Sequence, residues 1–199
     1  ASNPNCNVYG MSKYLAEKCL LELSKNDNYD YIPPVVICRL GNIFGSQGSV
    51  IPLWRQAIAN NKEMKINNPN MTRFMLSVQD AVSLVVKAVD EGINGDIYIP
   101  KMEAISIGEL ADLFDYDKKI IGQPIQGEKL HEDLTYDMEY ALDESKYWVF
   151  NNNRALYPIV MNEDWIKVES ISSDKAPKIS QSKLKEWLKF IETSPLCQI

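Results

Sequence analysis

Tyr9 and Lys13 stand four residues apart in the stretch NPNCNVYGMSK. On a helix that spacing puts both side chains on one face. A phenol alone titrates near pH ~10 and is a poor base at neutral pH. An ammonium beside it stabilises the phenolate and lowers that value. Such a pair can take a proton from a sugar hydroxyl while hydride leaves the same carbon. The lysine keeps donors for the ribose of a nicotinamide cofactor. A solvated pair on a helix surface would give the same spacing.

Three further stretches carry chemistry. GNIFGSQGS, residues 41–49, is rich in glycine and serine. Its glycines let backbone approach a ligand, and Ser49 with the following amides can hold phosphate at a helix start. An ordinary connecting loop has the same composition. Arg73, in Met71-Thr-Arg-Phe74, offers a planar fork of donors suited to a diphosphate, or is simply solvated. Glu128, in GEKLHE, can accept both hydroxyls of a ribose, or sit at a charged helix start favoured by the dipole. His131, the single histidine, reads as structural.

These groups need a scaffold, and the composition supplies one. The chain has 199 residues, 45% apolar and 24% charged, enough for a real hydrophobic core. A net charge of −6 argues against a nucleic-acid partner. Lys and Arg are scattered, and no apolar run is long enough to span a bilayer. The opening ASNPNCN has neither the basic nor the apolar region of a signal peptide. Cys6, Cys19, Cys38 and Cys197 are too dispersed for a metal site. They read as reduced, mostly buried thiols of a cytoplasmic protein.

The periodicity predicts a helix from about Val8 to Ser24, with Met11, Leu15, Cys19 and Leu23 as its apolar stripe, broken at 26–30. Val35–Cys38 reads as a strand buried on both faces, as in a parallel sheet. A helix follows Ser49 with Pro52 in its first turn, then a polar turn at Lys65–Asn70. Thr72–Val78 is predicted as a strand, and a helix runs on to Gly92. Asp96–Ile99 and Lys119–Gly122 are short strands, and Ser106 with Glu109 forms a capping box. Residues 127–150 are mixed and Asn151–Asn153 turn. The tail closes in a helix, Gln181–Ile191, with Leu184, Trp187, Leu188 and Ile191 on one face. Helix alternating with buried strand means α/β.

The segments NPNCNVYGMSKYLAEK, CRLGNIFGSQGSVIPLW, NPNMTRFMLSVQDAV, GDIYIP and GEKLHE, in that order, resemble the extended short-chain dehydrogenase/reductase family. Within it they are similar to the inverting UDP-N-acetylglucosamine 4,6-dehydratases of polysaccharide biosynthesis. The resemblance covers about Ala1 to Glu132. It implies the C-terminal part of a Rossmann-type parallel sheet with an interleaved smaller α/β substrate domain. The expected division is 1–49 and 72–92 for the cofactor domain, and 50–71 and 93–199 for the sugar-nucleotide domain and tail.

The implied reaction oxidises the sugar at C4 through bound NAD(P), eliminates water across C5 and C6, and returns hydride to C6, with or without inversion at C5. Tyr9 is the implied base and Lys13 its partner on the cofactor ribose. Leu40, Gly41 and Asn42 are expected beside the nicotinamide. Asn42, Ser49, Val50 and Arg73 are expected on substrate, and Glu128 on the uridine ribose. The resemblance favours NADP and implies a UDP-sugar substrate and a homo-oligomer. The family's acid and C5 base come from a Ser-Thr-Asp-Lys segment just ahead of the residues matching Ala1. The chain is therefore expected to be part of a longer enzyme, and inactive alone. One departure lies at Pro124–Lys129, where the family's Arg-Pro-Gly-Glu-Lys lacks its arginine and gains a residue. The alternatives are a nucleotide-sugar epimerase of the same family and a non-catalytic sugar-nucleotide-binding fragment.

Overall fold

The helix expected from residue 8 forms as α1, Val8–Leu23, in a computed structural model that describes residues 8–25, 33–123, 127–135, 140–151 and 165–193. Cys6, Cys197, the expected break at 26–30, residues 124–126 and positions 152–153 of the expected turn lie outside the described residues. The chain divides into two compact units interleaved along the sequence.

Unit 1 comprises Ala1–Leu40, Gln79–Lys101 and Asp133–Ser172. Its sheet joins β1 (Ile37–Cys38), β5 (Ile97–Pro100), β9 (Tyr147–Phe150), β8 (Tyr140–Asp143) and β10 (Trp165–Lys167) in that order. The pair β1–β5 is parallel and the others are antiparallel. All of α3 (Val78–Glu91) except its first residue belongs here, and Leu84 and Ala88 pack with Tyr98 and Val149. Burial pushes the Tyr98 hydroxyl up to about 12. Arg39 is buried and forks onto Glu17 of α1, with Nε at 2.9 Å and Nη2 at 2.5 Å, while Nη1 donates to Leu134 O at 2.6 Å. That bidentate pair is the geometry in which an arginine is most specific. Asn94 Nδ2 adds a bond to Ser24 O at 2.9 Å.

Unit 2 comprises Gly41–Val78, Met102–Glu132 and Ser173–Ile199. Here β2 (Asn42–Ile43) runs parallel to β4 (Thr72–Leu76), and β6 (Glu103–Ser106) is antiparallel to β4. A second small sheet pairs β3 (Met64–Ile66) with β7 (Lys119–Ile121). The helices are α2 (Val50–Ala59), α4 (Ile107–Ala111) and α5 (Gln181–Thr193). Ile51, Trp54, Met64, Ile66, Leu110, Leu184 and Ile191 share one core, with Trp187 and Leu188 against it. Trp54 Nε1 donates to Lys65 O at 2.8 Å, which satisfies the indole and fixes α2 on β3.

Several expectations change. The strand predicted at Val35–Cys38 is two residues long and half-buried. Lys65 and Ile66, expected in a turn, close β3, because buried Met64 and Ile66 alternate with exposed Lys65. The stripe on α1 is not covered by the described residues: Met11, Leu15, Cys19 and Leu23 are exposed. Periodicity reports that a face is apolar, not what lies on it. Cys38 is half-buried, and desolvation raises its thiol pKa. The units are also cut differently from the expected boundaries, since 41–49 fall with unit 2 while 93–101 and 133–172 fall with unit 1.

The capping box forms. Glu109 N–H donates to Ser106 Oγ at 3.1 Å, and Ser106 N–H donates to Glu109 Oε2 at 3.2 Å. The hydrogen bond from Lys178, then those from Ser106, hold the Glu109 carboxyl below its ordinary 4.5. A depressed carboxylate stabilises the fold above its unfolded pKa, and the contribution is lost as pH falls through the folded one. Ser106→Ala should cost about 1 kcal/mol in urea unfolding at neutral pH. Glu109→Gln should also destabilise at neutral pH, and its gap from wild type should close in acid.

Candidate functional site

Unit 2 contains a cavity of about 210 Å³ lined by Asn42, Ser49, Val50, Arg73 and Glu128, with Trp54, Lys65 and Asn67 among its other walls. The parallel pairing of β2 with β4 sets Asn42 opposite Met75, two residues beyond Arg73. The chain leaves β2 through Gly45 and Gly48, both at positive φ (74° and 75°), and enters α2. Only glycine takes that conformation without strain.

Ser49 stands at the N-cap of α2 with extended backbone (φ −76°, ψ 171°), yet its side chain makes no capping bond. Its hydroxyl oxygen is buried without a hydrogen-bond partner among the described residues. A buried hydroxyl is ordinarily satisfied, so this one fits a ligand oxygen at the start of the helix.

Arg73 is fixed by backbone. Nη1 donates to Thr72 O at 2.8 Å and Leu130 O at 3.3 Å, and Nη2 donates to Lys129 O at 2.9 Å. Its guanidinium lies 3.8 Å from Glu128 and 4.0 Å from Glu132, and its side chain is 15% exposed. Glu128 also receives a long hydrogen bond, 3.4 Å, from Asn67. No helix starts at Glu128, so the helix-dipole explanation for it falls.

Glu132 escaped the sequence reading. Its carboxylate accepts from Asn42 Nδ2 at 3.1 and 3.0 Å and from Phe74 N–H at 3.0 Å. Its own N–H donates to Ser173 Oγ at 2.8 Å. The signal was an acidic residue four positions after Glu128 in the same motif, but nothing local says which carboxylate faces a ligand. His131 Nδ1 lies 2.8 Å from Thr72 Oγ1, which in turn lies 2.6 Å from Ser173 Oγ. The histidine thus supports the strand that carries Arg73.

Tyr9, Lys13 and Leu40 belong to unit 1, and Gly41 and Asn42 to unit 2. Lys13 Nζ is 5.6 Å from the Tyr9 ring centre, on one face of α1 as the spacing predicts, and Tyr9 is 69% exposed. At Gly41 the missing Cβ makes room for the protein's own side chains. A Cβ there would come 2.7 Å from Phe74 Cβ and 2.8 Å from Met102 Sδ, so its bareness serves packing on β4. Ile191 fills the same role against Gly45.

This is a Rossmann-type α/β architecture, and it is similar to the X-ray structure of Pen from Bacillus thuringiensis. The match has a TM-score of 0.80 and 26% identity over 95% of this chain and 58% of that one. The family described as polysaccharide biosynthesis protein matches residues 1–152, and the chain belongs to it, an assignment that agrees with the resemblance to extended short-chain dehydrogenase/reductases. It is 40% identical to a UDP-glucose 4-epimerase of Rickettsia canadensis, over 71% of this chain and 43% of that protein. It is 35% identical to a UDP-N-acetylglucosamine 4,6-dehydratase (inverting) of Campylobacter jejuni, over 77% of this chain and 49% of that protein. The chain therefore spans about half the length of these curated relatives. Among the described residues no helix is long and apolar enough to cross a membrane.

Because the Ser49 hydroxyl caps nothing, Ser49→Ala should not carry the usual cost of a lost N-cap, about 1 kcal/mol. Thermal unfolding of the ligand-free chain should shift by no more than about 0.5 kcal/mol, or show slight stabilisation. A full capping-sized loss would mean the hydroxyl is already satisfied by the protein.

Proposed function

We propose that this chain is the sugar-nucleotide-handling part of an enzyme that converts a UDP-sugar through transient oxidation at C4. The 4,6-dehydration of UDP-N-acetylglucosamine is the favoured reaction. The observation that carries the reading is that one cavity is lined by Asn42, Ser49, Val50, Arg73 and Glu128 together. Its chemistry matches the parts of such a ligand. Arg73 supplies a fixed positive charge and Ser49 a hydroxyl donor for a diphosphate, Glu128 accepts from ribose hydroxyls, and Val50 gives an apolar wall.

Tyr9 takes the proton of the sugar's C4 hydroxyl. Lys13 stabilises the resulting phenolate and donates to a cofactor ribose. An exposed phenol with an ammonium beside it fits the ribose end of a nicotinamide cofactor. NAD(P) supplies hydride exchange when bound, and the resemblance favours the NADP form. The cytoplasm is the proposed compartment and a homo-oligomer the proposed assembly.

A second reading, C4 epimerisation, is favoured by the name of the Rickettsia relative. The test incubates the full protein carrying this chain with UDP-N-acetylglucosamine and NADP, and follows product mass and stereochemistry. Loss of one water supports dehydration. Unchanged mass with inversion at C4 supports epimerisation. No conversion of any UDP-sugar contradicts both. Tyr9→Phe should lower turnover at least ~100-fold with the fold intact, as expected for loss of a general base. Activity within a few-fold of wild type would remove Tyr9 from that role.

A further inference from the structure

We infer that Glu132 is a positioning residue that locks the Asn42 side chain into one orientation, so that Asn42 offers the cavity an acceptor for the hexose of the ligand. The inference rests on the nucleotide-sugar reading above and adds a residue and a selectivity to it.

An asparagine amide has two N–H donors on one side and a carbonyl on the other. Unrestrained, it can present either end to a ligand. Asn42 cannot. Its Nδ2 is 3.1 Å from Phe74 O and 3.1 and 3.0 Å from the two oxygens of Glu132, which uses both hydrogens on protein acceptors. A flipped amide would aim Oδ1 at a carboxylate and a carbonyl with no proton between them. That leaves Oδ1 as the polar atom Asn42 contributes to the cavity wall, and among the described residues no donor reaches it.

Glu132 can impose this because it is itself held from several sides. Its carboxylate takes Phe74 N–H at 3.0 Å, its N–H is anchored on Ser173 Oγ at 2.8 Å, and its side chain is 22% exposed. Glu132 is not one of the cavity's walls, so it acts through Asn42.

A fixed acceptor sorts the parts of a UDP-sugar. It repels phosphate oxygens, which go to the positive charge of Arg73 and the hydroxyl of Ser49. It welcomes a hydroxyl or an amide N–H. With the ribose hydroxyls facing Glu128, the group left for Asn42 is on the hexose.

The test measures binding of UDP and of UDP-N-acetylglucosamine to the chain by calorimetry. Glu132→Gln should weaken the UDP-sugar about tenfold and UDP less than about twofold, the scale of one lost hydrogen bond to a ligand. Asn42→Ala should do the same, and the double variant should lose no more than either single one. A purely structural role would weaken both ligands equally. Equal losses, additive losses or no loss would each overturn the inference. Should Glu132→Gln fail to fold, Asn42→Ala must still show the selective loss, or the inference falls. If wild type binds neither ligand, the nucleotide-sugar reading itself fails and this inference fails with it.

Discussion

The hydrogen-bonded carboxylate of Glu132 is the constraint on which the site in unit 2 depends. It gathers donors from β2 and β4, through Asn42 and the Phe74 amide, while its own amide is anchored on Ser173. Strand β2 is only two residues long, and two residues of parallel pairing with β4 hold little by themselves. A charged acceptor with three close donor contacts is stronger glue than the neutral bonds of such a ladder. It also sits close enough to Arg73, 4.0 Å, to offset part of that cation's desolvation.

Arg73 shows the same economy. Backbone carbonyls of Thr72, Lys129 and Leu130 hold its guanidinium plane. The side chain is therefore ordered before any ligand arrives, and little rotamer freedom is left to lose on binding. The Ser49 hydroxyl stands on the opposite footing, as a buried polar atom with no partner among the described residues, and the proposed reading gives it a ligand oxygen. A fixed cation, a fixed acceptor and a buried hydroxyl around one cavity are the features on which the proposed site for an anionic, hydroxyl-rich molecule rests.

Much of this was legible in the sequence where the signal is local. The helices α1, α3 and α5 and the Ser106–Glu109 box follow from periodicity and capping chemistry within a few residues. The strands β8, β9 and β10 were not legible, because their pairing joins 140–143 to 147–150 and 165–167 within a stretch of no clear period. Ser49, Arg73 and Glu128 were singled out by their chemistry, and Asn42 and Val50 by the family resemblance; spacing alone joins none of them, since 42, 49, 73 and 128 meet only through the β2–β4 pairing and the 128–132 segment. Glu132 stayed hidden because a motif with two glutamates cannot say which one is spent on the protein. The glycines carried more than one signal: Gly45 lines the cavity, yet the space a Cβ would take at Gly41 and Gly45 is filled by the protein's own side chains.

The central claim is that the cavity of unit 2 takes a nucleotide sugar. The most direct measurement is an amide-resolved NMR titration of the chain with UDP-N-acetylglucosamine. Saturable shifts concentrated at Asn42, Ser49, Val50, Arg73 and Glu128 are the predicted result. Shifts absent throughout, or confined to residues outside the cavity, would contradict it.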